Sequence, residues 1–235
     1  MWLQKQKIFS FLLLSLAPIL HCLDLSLRAG WLSAGAVRNS SQLPFCFETK
    51  QCLLFDLFCK TDEFEVRHYD SVKWVSTDEA SFLMEVAIYK SSGRLYEYIA
   101  GSNLNGHKIE MTAPVVVKIP DKRFWEIGTY TMSILLPAEY QKNPPQPTDN
   151  KVYINKTPEL NVYVKSYGGW VTFLSDKNTV TRLSSALDLV GAEYKKDFHY
   201  VAGYNSPITI FNRHNEVWVV AEDDPVCSSS EELFS

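Results

Sequence analysis

The feature that most constrains the fold of this chain is an order of elements that occurs twice, once on each side of a proline-rich linker. The linker covers 143–149 and contains Pro144, Pro145 and Pro147, a composition that favours stiff, extended backbone. Two strand-like runs, a helix and two more strand-like runs precede it, and the same order follows it. Two such ββαββ units usually pair their strands into one sheet or barrel with both helices packed against it. The sequence therefore predicts an α+β fold with a doubled core.

The first half begins with alternating runs at 64–69 and 72–77, which the turn residues Asp70 and Ser71 connect into a predicted hairpin. A helix is predicted over 81–100, with Gly101 as its C-cap. Strands are further predicted at 115–119 and 130–136, a strand pair at 151–154 and 160–167, a helix at 171–190 that ends before Gly191, and a final strand pair at 200–204 and 216–221.

The first 22 residues have the layout of a secretory signal peptide. Lys5 and Lys7 precede an uncharged apolar run over 8–20, which is too short for a comfortable membrane span. We therefore expect a secreted, extracellular protein without a stable membrane span after signal removal; the alternative is an uncleaved signal-anchor. Without those two lysines the chain has 21 basic and 27 acidic residues, a formal charge of about −6. A nucleic-acid partner is not expected, because phosphate binding needs a basic surface.

The cysteines fit the same export route. Setting aside Cys22 at the signal boundary leaves four: Cys46, Cys52, Cys59 and Cys227. In an oxidising compartment these predict one or two disulfides that tie the N-terminal segment to the tail, with the pairing open. Zinc is the alternative, although no C-x2-C pair supports it.

Two further features complete the predicted organisation. Asn39 and Asn155 begin N-glycosylation sequons, so a glycoprotein is expected. The predicted segments are a signal peptide at 1–22, an irregular cysteine-containing extension at 23–60, the folded domain at 61–222 and an acidic tail at 223–235.

A set of short motifs in fixed order carries a family resemblance. They are Glu-Val-Arg-His-Tyr at 65–69, Lys-Trp-Val at 73–75, Met-Thr-Ala-Pro-Val at 111–115, Pro-Pro at 144–145, Ala-Gly-Tyr-Asn-Ser-Pro at 202–207 and Arg-His-Asn-Glu-Val-Trp at 213–218. Together they closely resemble the SOUL family of heme-binding proteins over about 64–221. The resemblance implies a distorted eight-stranded β-barrel made of two ββαββ repeats and flanked by two helices. It also implies binding of heme or another tetrapyrrole, with no established catalytic reaction.

The resemblance points to one residue for the iron. The histidine of the Arg-His-Tyr motif is implied as an axial ligand, and its match is His68; a neutral imidazole can coordinate heme iron through one ring nitrogen. Arg67 and Lys73 flank it in sequence and are candidates to pair with the heme propionates. The alternatives are a satisfied core histidine for His68, which shares a strand face with Phe64 and Val66, and solvated surface for Arg67 and Lys73.

The predicted function is the binding of heme or a porphyrin as a carrier, buffer or sensor, without catalysis. Its alternative is a secreted small-molecule or protein-binding module that has kept the fold and lost heme. Enzyme signatures such as G-x-S-x-G, H-E-x-x-H and the P-loop are absent from the sequence. By fold analogy, Glu110 is the one candidate for a hydrolytic residue in a central cleft. Protein partners are left unknown.

Overall fold

A nine-stranded antiparallel sheet carries two long helices in the computed structural model, which describes residues 37–39 and 45–228. The predicted signal peptide, Cys22, half of the predicted extension and the end of the acidic tail lie outside the described residues. The strands, in chain order, are β1 (Val37–Asn39), β2 (Gln51–Leu53), β3 (Asp56–Lys60), β4 (Glu65–Tyr69), β5 (Lys73–Ser81), β6 (Val115–Pro120), β7 (Gly128–Leu135), β8 (Val152–Lys156), β9 (Leu160–Tyr167), β10 (Phe198–Gly203) and β11 (Asn215–Val220).

The two helices are α1 (Met84–Ala100) and α2 (Phe173–Leu189), and both predicted helices are confirmed. Gly101 adopts a φ of 124° and donates its N–H to the last turn of α1, as expected of a glycine stop. The first helix starts three residues later than predicted, because β5 extends to Ser81. Thr172 caps α2 by accepting a hydrogen bond from the Ser175 N–H.

Strand pairing differs from the prediction in a systematic way. The sheet order is β3-β4-β9-β11-β10-β6-β7-β5-β8. The predicted pair β10–β11 is confirmed, and β6 pairs with β7. The hairpin predicted from β4 with β5 and the strand pair predicted from β8 with β9 are wrong. Instead β4 pairs with β9, and β5 pairs with β8. The first strand of each half is thus exchanged into the other half, because alternation specifies a strand and its faces but not its partner.

Two short connections show how strongly the sheet curls. Only residues 70–72 join β4 to β5, and only 157–159 join β8 to β9, although each pair lies near opposite ends of the strand order. Four Cα–Cα steps span at most about 15 Å, so the two ends of the sheet must approach each other there. The fold is barrel-like, as predicted. It is nevertheless an open sheet of nine strands rather than a closed barrel of eight, because β3 adds a strand beyond β4 and no described ladder joins β3 to β8.

Both faces of the sheet are buried. The helices cover one face, where Val66, Leu95, Leu183 and Val217 belong to a single apolar core. A second core lies on the other face and includes the aromatic side chains Tyr69, Trp74, Tyr204 and Trp218 together with Leu53 and the half-cystines Cys46 and Cys52. No helix among the described residues is long and apolar enough to cross a membrane.

The segment before the doubled core is ordered where the structure describes it. Two disulfides form, Cys46–Cys52 and Cys59–Cys227, which confirms the predicted link between the N-terminal segment and the tail and overturns the zinc alternative. The prediction of an irregular extension is wrong for 51–60, which contains β2 and β3. Here β3 pairs with β4, and the Leu53 N–H donates to the carbonyl of Ala113 at 2.9 Å. The sequence offered no clean period there, because short edge strands carry too few residues to show one.

Candidate functional site

His68 lies on β4. One of its ring nitrogens is hydrogen-bonded, and the other has no hydrogen-bond partner among the described residues. Its Nδ1 lies 2.8 Å from the amide oxygen of Asn161 on the neighbouring strand β9, a position in which Nδ1 is the donor. In the neutral tautomer with the proton on Nδ1, the free lone pair is on Nε2. The ring stacks on Phe58 at a centroid distance of 5.8 Å, and Nε2 lies 3.9 Å from a carboxylate oxygen of Asp70. This arrangement, with one nitrogen held by a carbonyl oxygen, is the one that metal-ligating histidines usually have.

An open groove of about 870 Å³, here the His68 groove, borders this ring. Its apolar surface comes from Leu160, Phe198, Tyr200 and Val220. Its charged side chains are mostly acidic: Glu159, Glu222, Asp223 and Asp224 against the single cation Lys195. The groove therefore offers an imidazole and apolar area, but a negative potential that disfavours carboxylates.

Arg67 points to the other face of β4 and is only 2% exposed. Its Nη1 donates to both carboxylate oxygens of Glu216 at 3.0 Å, and its Nη2 donates to Glu65 at 2.6 Å. The guanidinium carbon lies 4.0 Å from the centroid of the Phe55 ring. The alternative that Arg67 is solvated surface is wrong, and the structure does not bring its guanidinium together with His68.

Lys73 starts β5, and its ammonium donates to the carbonyl of Lys142 at 2.9 Å. It does not line the His68 groove. Of the three residues predicted to contact the cofactor, the structure therefore places one at an open groove and the other two elsewhere.

Sequence reasoning missed a buried polar network centred on Glu216, which has no exposed surface. Besides Arg67, its carboxylate accepts hydrogen bonds from the hydroxyl of Tyr204 at 2.9 Å and the indole N–H of Trp218 at 2.7 Å, and His214 Nε2 lies 2.8 Å away. Burial alone would raise the pKa of Glu216, but the hydrogen bond with His214 and the charge of Arg67 outweigh it and lower that pKa. The sequence signal that could have indicated this network is Glu216 itself, a glutamate within the apolar run of β11.

The same network changes the pKa of two tyrosines. Burial and the charge of Glu216 raise the pKa of Tyr204 well above its ordinary value, and they raise that of Tyr69 as well. His214 stacks on Phe45 at a centroid distance of 4.1 Å and belongs to the network. The N-terminal segment that contains Phe45 carries no sequence signal of this position.

A smaller cavity of about 220 Å³, the inner cleft, lies on the sheet face opposite the helices. Aromatic side chains dominate its wall: Tyr69, Trp74, Tyr153, Tyr200 and Trp218. The sequon residue Asn155 on β8 also lines it, and Thr157 of the same sequon accepts a hydrogen bond from the Trp74 indole at 3.2 Å. The other sequon residue, Asn39, ends β1. Glu110 does not line this cleft; it is paired with Lys50 at the surface.

The sequence profile of the SOUL heme-binding protein family matches residues 50–220. The chain belongs to the SOUL family. Heme is the ligand that membership of this family supports. The matched span contains His68 and Asn161 but ends before Cys227, so the Cys59–Cys227 disulfide joins a residue inside the SOUL match to one beyond it.

Individual SOUL proteins match over most of their length. Heme-binding protein 2 of Homo sapiens is 36% identical over 163 residues, which is 69% of this chain and 80% of the relative. Heme-binding protein 2 of Mus musculus is 33% identical, over 72% of this chain and 83% of the relative. Heme-binding protein 1 of Xenopus laevis is 28% identical, over 67% and 83%.

The fold also occurs outside these relatives. The C-terminal domain of EcmrR superposes with a TM-score of 0.53 at 11% identity, over 73% of this chain and 100% of that domain. At that identity the likeness concerns the fold alone.

Proposed function

We propose that this chain is a secreted SOUL protein that binds heme or another tetrapyrrole as a carrier, buffer or sensor, without turning it over. Family membership supports the ligand class. The observation that carries the proposal is the imidazole of His68, whose Nδ1 is held by Asn161 while Nε2 remains available beside an open groove. A neutral imidazole in this tautomer is a suitable axial ligand for heme iron.

The charges around His68 define how such a site would work. The His68 groove is within the range of small-molecule sites, about 300–1,000 Å³, and its apolar residues can cover part of a macrocycle. Its four carboxylates favour the positive iron and disfavour the propionates, so the propionates would face solvent or Lys195. Binding at this site should therefore depend on iron, and hemin should bind more tightly than iron-free protoporphyrin.

A hemin titration of the purified mature protein tests this proposal. The His68→Ala variant should change the Soret band and weaken binding by about tenfold or more, which is about 1.4 kcal/mol. His107→Ala is the matched control, because His107 is exposed on a loop, and it should behave like the wild type. An unchanged Soret position, intensity and affinity in His68→Ala would show that His68 is not the ligand.

The alternative is a binding module of the same fold that no longer takes heme. It is favoured by the position of Arg67, whose guanidinium is already bonded to Glu65 and Glu216 and is buried. The two candidates differ in stoichiometry. Saturable one-to-one binding of hemin supports the first, whereas weak, unsaturable adsorption of hemin and protoporphyrin alike supports the second.

Secretion is a separate part of the proposal, supported by the Lys5–Leu20 pattern of the sequence and by two disulfides. Expression of the full chain in cultured cells should deliver a protein to the medium that lacks about the first 22 residues. N-terminal sequencing of the secreted material measures this directly. Retention of the uncleaved chain in the membrane fraction would support the signal-anchor alternative.

A further inference from the structure

A second and larger groove, about 980 Å³, lies beside the start of α1 and extends along α2. Its walls come from the start of α1, from α2 between Phe173 and Asp188, from the loop between β6 and β7 and from residues 194–199. We name it the helix-start groove. It shares only Lys195 and Phe198 with the His68 groove, and neither the SOUL motifs nor the proposed function uses it.

The walls of the helix-start groove expose large apolar side chains. Phe82 is 54% exposed, Trp125 58%, Phe124 75% and Phe173 45%. Beneath them the floor consists of buried apolar side chains such as Ile119 and Val219, with Tyr130. A soluble domain rarely exposes so many large apolar groups around one concavity unless something binds there.

Cations surround this apolar surface. Five basic residues line the groove: Lys122, Arg123, Lys177, Lys195 and Lys196. Among the described residues, only Lys196 of these five lies within ion-pair distance of a carboxylate, 3.7 Å from Asp188. Arg123 and Lys177 instead lie 5.7 Å from the ring centroids of Trp125 and Phe173, respectively, so their side chains run along the aromatic walls.

Most acidic side chains of the groove already have hydrogen-bond or ion-pair partners. Glu85 accepts the backbone N–H of Phe173 at 2.8 Å, and buried Asp176 lies 2.9 Å from His199 Nε2. Asp188 accepts the hydroxyl of Tyr194 besides its ion pair with Lys196. The ammonium of Lys122 donates to the carbonyls of Phe82 and Glu126 at 3.0 and 2.8 Å. The groove therefore has five basic residues against four carboxylates, and three of the cations have no hydrogen-bond or ion-pair partner for their side chains among the described residues: Arg123, Lys177 and Lys195.

We infer that the helix-start groove binds an amphipathic anion: a single acyl chain along the apolar floor, with a carboxylate or phosphate head group on the cationic rim. The groove has the volume of a small-molecule site. Its pattern of apolar floor and basic rim complements a molecule with one long apolar part and one charged end. The His68 groove, by contrast, is acidic, so the two sites select different chemistry. This inference goes beyond the proposed tetrapyrrole function and does not depend on it.

Calorimetric titration with monomeric amphiphiles of one chain length tests the inference. Oleate supplies a carboxylate, oleoyl lysophosphatidate a phosphate and oleyl alcohol no charge. One saturable site is expected for the anions, with binding at least about tenfold tighter than for the alcohol. The comparison of oleate with lysophosphatidate identifies the preferred head group.

Two sets of variants locate the site. Arg123→Glu combined with Lys177→Glu reverses two rim charges and should weaken both anions by about tenfold or more. Its control is Lys142→Glu with Lys151→Glu, the same charge change at exposed residues outside the groove. Thr181→Trp places an indole in the groove from an exposed position of α2 and should abolish binding. Asn178→Trp, also exposed on α2 but outside the groove, should not.

Three results would overturn the inference: equal binding of the alcohol and the anions, unchanged binding in the rim and Thr181 variants, or binding only to phosphatidylserine vesicles and not to the monomeric amphiphiles. The last result would mean adsorption to a membrane rather than a ligand site. Hemin titrations of the same variants distinguish a failure of this inference from a failure of the tetrapyrrole proposal. It should be unchanged in the groove variants, and oleate binding should be unchanged in His68→Ala.

Discussion

At the scale of single residues, the most consequential contact is the ion pair between Arg67 and Glu216. The two residues lie 149 positions apart in sequence, on β4 and β11, and both are excluded from solvent. Removing one charge of such a pair usually costs more than the pair contributes, because the remaining charge stays buried without a partner. The Arg67 guanidinium lies 4.0 Å from the centroid of the Phe55 ring and 6.0 Å from that of Phe45, so the N-terminal segment covers the pair.

We expect Glu216→Gln to lower the free energy of unfolding by about 3 kcal/mol or more at neutral pH. The amide can still accept from Tyr204 and Trp218, but it leaves the Arg67 guanidinium with only Glu65 as a charged partner. Urea denaturation measures the loss, and Glu222→Gln, an exposed carboxylate, is the control. A loss below about 0.5 kcal/mol, typical of a surface change, would contradict the assigned importance of this pair.

The shifted pKa of Glu216 also predicts the direction in which stability changes with pH. The pKa of Glu216 is lower in the folded protein than its ordinary value of 4.5, so the folded state favours the ionised form. This contribution is fully present above about pH 4.5 and is lost as the pH falls through the folded pKa. Denaturation midpoints measured from pH 7 to pH 3 should fall steeply in the wild type and less steeply in Glu216→Gln. Parallel pH profiles would refute this assignment.

At the scale of elements, the exchange of first strands is the main feature of the sheet. Each half of the doubled core contributes one strand that has no partner within its own half. Strand β4 pairs with β3 and β9, and strand β8 pairs with β5. Neither half can satisfy the backbone groups of that strand by itself. The unit of folding is therefore the pair of halves and not the ββαββ repeat.

Splitting the chain within the linker at 143–149 tests this. The fragments 45–145 and 148–228 should each fail to show a cooperative thermal transition as monomers, because β4 and β8 would expose unpaired edges. Mixed and refolded together, they should regain the circular dichroism spectrum and a single transition. A fragment that unfolds cooperatively as a monomer would contradict the exchange as the unit of folding.

The sequence predicted the elements well and their partners poorly. Gly101 and Gly191 marked the helix ends correctly, because a positive φ is required there and glycine adopts it at little cost. The period of two predicted one shared strand face for Phe64 and Val66, and both belong to the same core, on the helix side of the sheet. The sequence could not identify the partner strand of β4, because its alternation of apolar and polar residues is equally compatible with pairing to β5 or to β9. The burial of Arg67 could not be predicted either, because its partner Glu216 is 149 residues away and no local sequence pattern connects the two.

At the scale of the whole molecule, one disulfide spans nearly the entire folded unit. Cys59 on β3 and Cys227 in the tail are separated by 168 residues, whereas Cys46 and Cys52 are separated by six. A cross-link stabilises mainly by restricting the unfolded chain, and its effect grows with the length of the closed loop. The long bridge also ties the edge strand β3 to the chain that follows β11.

Removing the long disulfide should therefore lower the free energy of unfolding more than removing the short one. The loop-closure relation gives about 5 kcal/mol for Cys59→Ala with Cys227→Ala and about 2 kcal/mol for Cys46→Ala with Cys52→Ala. The second pair also loses buried packing, since both cysteines are buried. Urea denaturation of the oxidised proteins measures both. A loss below about 1 kcal/mol for the long bridge would mean that the unfolded chain is already restrained there.

The exchange of strands also governs when the chain can fold during its synthesis. His68 on β4 and its partner Asn161 on β9 are 93 residues apart, so at about 5–20 residues per second β4 leaves the ribosome about 5–20 s before its partner exists. Throughout that interval Val66, which is fully buried in the native core, has a partner strand on one side only, β3. The nascent chain therefore exposes one unpaired edge of β4 until the second half arrives.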